Sequence, residues 1–172
     1  MDLAQSVYEQ AVSARFFGSC IVAAVQAVVD LLPKAKTVIA LEVGAGTGGT
    51  ASSVLPAIQG VCEQYLYTDV SDVFLRRARV RFAAFACLKC ELLNIDVDPR
   101  LQGFAARQCD LVLATNVLHA TPSMRNTLRN CKLLLKMDGL CAINELLSTF
   151  AIEQITLYAA PTRIHGCSCA LA

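Results

Sequence analysis

The sequence predicts an α/β fold, a parallel sheet with helices on both faces. Three observations lead there. Strand-like apolar runs alternate with helical stretches, a glycine-rich turn at Gly44-Ala45-Gly46-Thr47-Gly48-Gly49 follows the first run, and polar residues suited to chemistry fall at the ends of the runs. Such alternation gives parallel strands joined by right-handed crossovers. In such sheets ligands lie beyond the carboxyl ends of the strands.

Val7 to Leu32 carries apolar residues at helical spacing and is expected to break near Gly18 and close at Pro33. Five strands are expected at Thr37 to Val43, Tyr65 to Val70, Leu88 to Ile95, Asp110 to Val117 and Leu140 to Leu147. Helices are expected at Gly48 to Gln59, Ser71 to Phe85, Pro99 to Ala106 and Ser123 to Met137, with Met137-Asp138-Gly139 as the last helix stop. These elements divide the chain into N-terminal helices over 1–36, a core over 37–147 and a tail over 148–172.

At 172 residues the chain is long enough for one domain with a sizeable core. It is 55% hydrophobic with a mean hydropathy of +0.51, which fits a globular interior and not disorder. Fifteen basic against fourteen acidic residues leave no net field to attract nucleic acid or anionic lipid. Arg76, Arg77, Arg79 and Arg81 read as the solvated face of a helix. No apolar stretch has the length of a membrane span, and the first residues lack a secretory signal, so a cytoplasmic protein is expected. Of nine cysteines, Cys20, Cys62, Cys109, Cys131 and Cys141 sit singly in apolar segments and read as small buried hydrophobes. Cys87-x-x-Cys90 has metal-like spacing but no matching second pair, and no metal site is expected.

Glycines let a backbone turn sharply and approach a ligand closely. Gly44-x-Gly46-x-x-Gly49 also fits the dinucleotide fingerprint, so the loop alone leaves the cofactor open. Asp69, at the end of the second strand, has the position of an acid that holds ribose hydroxyls, a role shared by nicotinamide and S-adenosylmethionine enzymes.

Leu41 to Thr50, Tyr65 to Ser71, and Cys109 to Thr121 with its Asn116-Val117-Leu118-His119-Ala120-Thr121 segment together resemble the C-methyltransferase domain of polyketide synthases, in order from about Tyr8 to Glu145. The resemblance implies a Rossmann-like sheet that binds S-adenosyl-L-methionine. It implies methylation of the α-carbon of a β-ketoacyl chain tethered to an acyl carrier protein, within a larger synthase. By match, His119 and Glu145 are the family's base pair, and Tyr8, beside the lid residues Ser13 to Phe17, is a candidate assistant.

The chemistry makes independent sense of that pair. Carbon methylation needs removal of a proton between two carbonyls, which suits a histidine, and Glu145 would fix its tautomer. The alternative is a histidine that merely caps the turn before Pro122 and a solvent-facing Glu145. For the cofactor, Gly44, Ala45 and Gly46 would supply the closely approaching backbone. Glu42 would orient that loop or meet the methionine ammonium, and Asp69 would bind ribose. Asn94, where the family tends to carry an acid, would pair with adenine beside Asp96, and Asn116 is a backbone or substrate contact.

The tail departs from the family. Ser148 to Ala160 is expected to form a helix, leaving the last antiparallel strands of the family's sheet absent and the fifth strand an open edge. Three other functions compete with carbon methylation. An inactive methyltransferase-like module is favoured by the tail and opposed by the intact site residues; a small-molecule O- or N-methyltransferase shares the cofactor. A nicotinamide oxidoreductase is disfavoured because no Tyr-x-x-x-Lys pair follows the loop.

Overall fold

The structure, a computed structural model, describes residues 12–31, 33, 36–145 and 154–159, with side chains described for all but 12–17, 31 and 154–159. Helix α1 (Val12–Leu31) leads into β1 (Val38–Val43), α2 (Gly49–Ile58), β2 (Cys62–Asp69), α3 (Asp72–Arg81) and β3 (Leu88–Leu92). A 3-10 turn (Pro99–Gln102), β4 (Cys109–Thr115), a second 3-10 turn (Leu118–Ala120), α4 (Met124–Leu134), β5 (Leu135–Glu145) and β6 (Gln154–Ala159) follow. The strand order is β3-β2-β1-β4-β5-β6, parallel from β3 through β5, with β6 antiparallel at the edge.

The inner strands β1 and β4 are buried on both faces, so their sequences are near-continuous apolar runs. Because successive side chains alternate, Ala40, Leu111, Leu113, Tyr65 and Tyr67 pack toward α1, α2 and α3, meeting Ile21, Val25, Val54, Leu55 and Leu75. Leu41, Val43, Val112 and Ala114 pack the other way, against Cys131 and Leu134 of α4 and Phe104. Strand order reverses between β1 and β4, and this places a crevice between the loops that leave those two strands.

Five expectations give way here. First, α1 runs through Gly18 without a break; the glycine serves close helix packing, since a Cβ there would lie 3.1 Å from Ser53 Oγ on α2. Second, β3 stops at Leu92, and Pro99 to Ala106 yields a 3-10 turn ended by Gly103 at φ 92°. Third, α4 ends at Leu134 and β5 starts at once, so Met137-Asp138-Gly139 lies inside strand β5. A Cβ on Gly139 would meet Cys109 O at 3.1 Å, and the β4–β5 register shifts over this segment.

Fourth, residues 154–159 form a strand and not a helix, so one antiparallel strand is present and β5 is paired along Leu140 to Glu145. The alternating Ile155, Leu157 and Ala159 fit a strand as well as a helix over so short a run, and the free β5 edge decides. Fifth, Cys20 and Cys62 are only half-buried, while Cys109, Cys131 and Cys141 are buried. No helix among the described residues is long and apolar enough to cross a membrane. Tyr8, the residues Ser13 to Phe17 as side chains, and 161–172 lie outside the described residues.

The amino ends of the strands are tied by Asp110, which accepts from Ile39 N–H (3.0 Å), Lys136 Nζ (2.7 Å) and Lys36 Nζ (3.2 Å). Burial opposes ionisation of this carboxyl, and the two lysines and the amide outweigh it, holding its pKa below the usual range. The opposite, carboxyl ends of the strands are left for chemistry.

Candidate active site

At the end of β4, Asn116 takes φ 51°, a left-handed conformation that asparagine tolerates better than most residues, and its N–H donates to Asn144 O on β5 at 2.7 Å. This bend turns three successive amides toward the end of β5. Glu145 Oε1 accepts from Val117 N–H (2.9 Å) and Leu118 N–H (2.8 Å), and Oε2 accepts weakly from His119 N–H (3.4 Å). The Glu145 side chain is 7% exposed, so a buried carboxylate sits in a nest of backbone donors. Oε2 also lies 2.7 Å from His119 Nδ1. With Nδ1–H donating to that carboxylate, Nε2 carries the lone pair, and the imidazole is 52% exposed. The arrangement is an exposed imidazole oriented by a buried carboxylate.

Across the crevice, the loop after β1 is shaped by Gly44, Gly46 and Gly48, at φ 58°, 54° and 86°. A Cβ on Gly44 would come within 2.3 Å of Val117 Cγ2, so this glycine lets the two loops touch. A Cβ on Gly46 would meet only Gly44 O at 3.8 Å, leaving that side open. Around Gly49 there is no atom within 4 Å of a Cβ position, so the third glycine of a dinucleotide fingerprint, which serves close helix packing, has no such function here. The spacing that the structure uses is 44, 46 and 48.

Asp69 ends β2 beside this loop: Oδ2 accepts from Gly46 N–H at 2.9 Å and Oδ1 from Ser71 N–H at 2.8 Å. Asp69 is 6% exposed, and each of its oxygens keeps a second lone pair. Ala45 N–H donates to Thr68 O, fastening the loop to β2.

Other expected residues are placed differently. Glu42 is 2% exposed and turned under the loop, where Tyr65 Oη donates to its Oε2 at 2.7 Å. Burial pushes its pKa up to about 8, with Tyr65, Thr50 and the Ala51 amide pulling the other way. Its carboxyl thus ties β1 to β2 and to the first turn of α2, just beyond the loop. Asn94 Oδ1 closes an Asx turn on Asp96 N–H, and Asp96 Oδ1 accepts from Thr127 Oγ1 of α4. Asn94 is exposed at the crevice side of β3, whereas Asp96 is tied into α4.

Tyr65 and Tyr67, which reach the Glu42 carboxyl and the Gly46 carbonyl from β2, do not stand out in the sequence. Two tyrosines two apart in a buried strand share one face, and each buried hydroxyl needs a partner; that was the available signal.

A methyltransferase domain family profile matches residues 41–141, more than half of the chain. Polyketide synthase 19 of Gibberella fujikuroi is 42% identical over 122 residues, which is 70% of this chain and 5% of that protein. The highly reducing polyketide synthase pspA of Penicillium soppii is 43% identical over 111 residues, 62% of this chain and 4% of that protein. The chain therefore spans only a small part of the curated relatives it matches. Among solved structures, the CurJ carbon methyltransferase superposes with a TM-score of 0.79 at 33% identity, covering 83% of this chain and 38% of that one. The C-methyltransferase domain of the citrinin polyketide synthase gives a TM-score of 0.79 at 30% identity, covering 85% and 39%. CalH, a trans-methyltransferase solved with SAH, gives 0.65 at 31% identity, covering 84% and 42%. The chain belongs to the methyltransferase domain family, and its type is that of the C-methyltransferase domains of polyketide synthases.

Proposed function

We propose that this chain methylates the α-carbon of a β-ketoacyl chain carried on an acyl carrier protein, with His119 as base and S-adenosylmethionine as methyl donor. The observation that carries this reading is the 2.7 Å contact between His119 Nδ1 and the buried Glu145 carboxylate, which leaves Nε2 as the acceptor on an exposed imidazole. Proton abstraction from carbon between two carbonyls calls for such a base. As the proton arrives at Nε2, the imidazolium is stabilised by Glu145, whose charge the amides of Val117 and Leu118 hold in place. The electron pair left behind spreads over the β-keto enolate, making its α-carbon the nucleophile.

The loop fits the methyl donor: the open Cβ side of Gly46 lets a ligand approach the backbone, and Asp69 offers lone pairs for ribose hydroxyls. Gly44, Ala45, Gly46 and Asp69 would hold it, with Asn94 and Asn116 at the rim. When bound, this cofactor supplies an electrophilic methyl group on a sulfonium. Partners of the chain would be the carrier-bound substrate and the other domains of a polyketide synthase, the kind of protein its relatives are named as. The reading is tested by calorimetric titration with S-adenosylhomocysteine and by methyl transfer to a β-ketoacyl thioester. A folded chain that does neither contradicts it.

A further inference from the structure

The glycine loop is held from behind by side chains that base chemistry does not involve. Tyr67 Oη, on β2, donates to Gly46 O at 2.7 Å. Arg81, the last residue of α3, donates from Nη1 to Thr47 O at 2.8 Å, and Ser52 Oγ on α2 donates to Gly48 O at 2.7 Å. Three successive loop carbonyls thus each accept from a different element.

The donors are themselves braced. Arg81 Nη2 donates to Ser52 Oγ at 2.8 Å, and its guanidinium lies 5.1 Å from the centre of the Phe82 ring. Phe82 packs on Tyr67 with ring centres 6.1 Å apart, and a Cβ on Gly48 would strike Phe82 Cε2 at 2.8 Å.

Packing on Phe82 meets the loop at Gly48 and leaves Gly46 and Thr47 beside open space. Between the loop and α3 lies a cavity of about 90 Å³ lined by Gly46, Thr47, Tyr67, Phe74, Arg77 and Arg81, so the loop has room to move toward the helix. Its glycines are the residues with the most conformational freedom to lose, and hydrogen bonds to the carbonyls set the peptide planes. Tyr67 Oη also lies 3.4 Å from Ala45 O, the carbonyl of the peptide whose Gly46 N–H donates to Asp69 Oδ2, so the tyrosine and Asp69 hold the two sides of one peptide plane.

We propose that Tyr67 and Arg81 are positioning residues that preset the loop and Asp69 for cofactor binding. The inference rests on the cofactor reading above and adds the groups that make the site ready before the ligand arrives. A loop already ordered loses less entropy on binding, so loosening it appears as lost affinity.

The test is titration of the 172-residue chain and its variants with S-adenosylhomocysteine. Tyr67→Phe, which removes one oxygen, is expected to weaken binding about fivefold to tenfold, the size of one net hydrogen bond. Arg81→Met, at an exposed helix end, is expected to weaken it by a similar factor. Arg81→Gln, which keeps an N–H donor for Thr47 O and drops the charge, is expected to recover part of that loss, a rescue that a residue important only for helix charge would not show. If the unaltered chain binds but Tyr67→Phe and Arg81→Met bind as tightly, the latch is overturned alone. If the unaltered chain does not bind, the cofactor reading falls and the latch with it.

Discussion

Glu145 Oε2 lies 2.7 Å from His119 Nδ1 while Glu145 Oε1 accepts from the amides of Val117 and Leu118, so one carboxylate both orients the imidazole and closes the turn that carries it. The last residue of β5 and the first turn after β4 are thereby a single unit, and the orientation of His119 and local stability are coupled through it.

Glu145→Gln separates those two functions. The amide oxygen still accepts from two backbone N–H groups, but the amide nitrogen now donates to His119 Nδ1, which puts the ring proton on Nε2 and removes the lone pair there. Methyl transfer is expected to fall at least about a hundredfold, with a loss of about 1–3 kcal/mol in unfolding free energy from the imperfectly satisfied nest. Single-turnover methylation together with chemical denaturation measures both.

The loop glycines are unequal. Gly44→Ala combines a left-handed φ with a 2.3 Å approach to Val117 and is expected to cost at least about 2 kcal/mol. Adding Val117→Ala relieves the overlap but not the φ, so part of the loss returns. Gly49→Ala, in helix α2 with open space around it, is expected to raise stability by about 0.5–1 kcal/mol. Thermal unfolding of the four proteins orders them, and a strongly destabilised Gly49→Ala would restore the dinucleotide pattern.

Glu42 makes stability depend on pH. Its folded pKa, about 8, lies above the ordinary 4.5, so the folded state holds the proton more tightly than the unfolded chain. The contribution is complete below about pH 4.5 and is lost as pH rises toward about 8, at up to about 1.4 kcal/mol per unit. Glu42→Gln is expected to flatten this slope in urea unfolding between pH 5 and about 8; an unchanged slope would place the proton elsewhere.

Much of this was legible in the sequence. Alternating apolar runs fixed β1, β2 and β4, because buried parallel strands leave little choice of residue. His119 and Glu145 were legible through the segment around Asn116, and their meeting follows from adjacent parallel strands. What was hidden depends on three-dimensional proximity. Gly139 looks like a helix stop until its closeness to Cys109 O is known, and Gln154 to Ala159 becomes a strand only because β5 offers an edge. Arg81 reads as one more solvated arginine, yet it reaches Thr47 on another loop. Glu42 has the right position for a ligand contact, and only its burial beneath α2 shows it facing Tyr65.

The claim that His119 is the base is tested most directly by His119→Ala, measured for methyl transfer to a β-ketoacyl thioester and for S-adenosylhomocysteine affinity in the same preparation. The account predicts transfer reduced at least about a hundredfold with affinity within about twofold of the unaltered chain. Full transfer activity in the variant would contradict it.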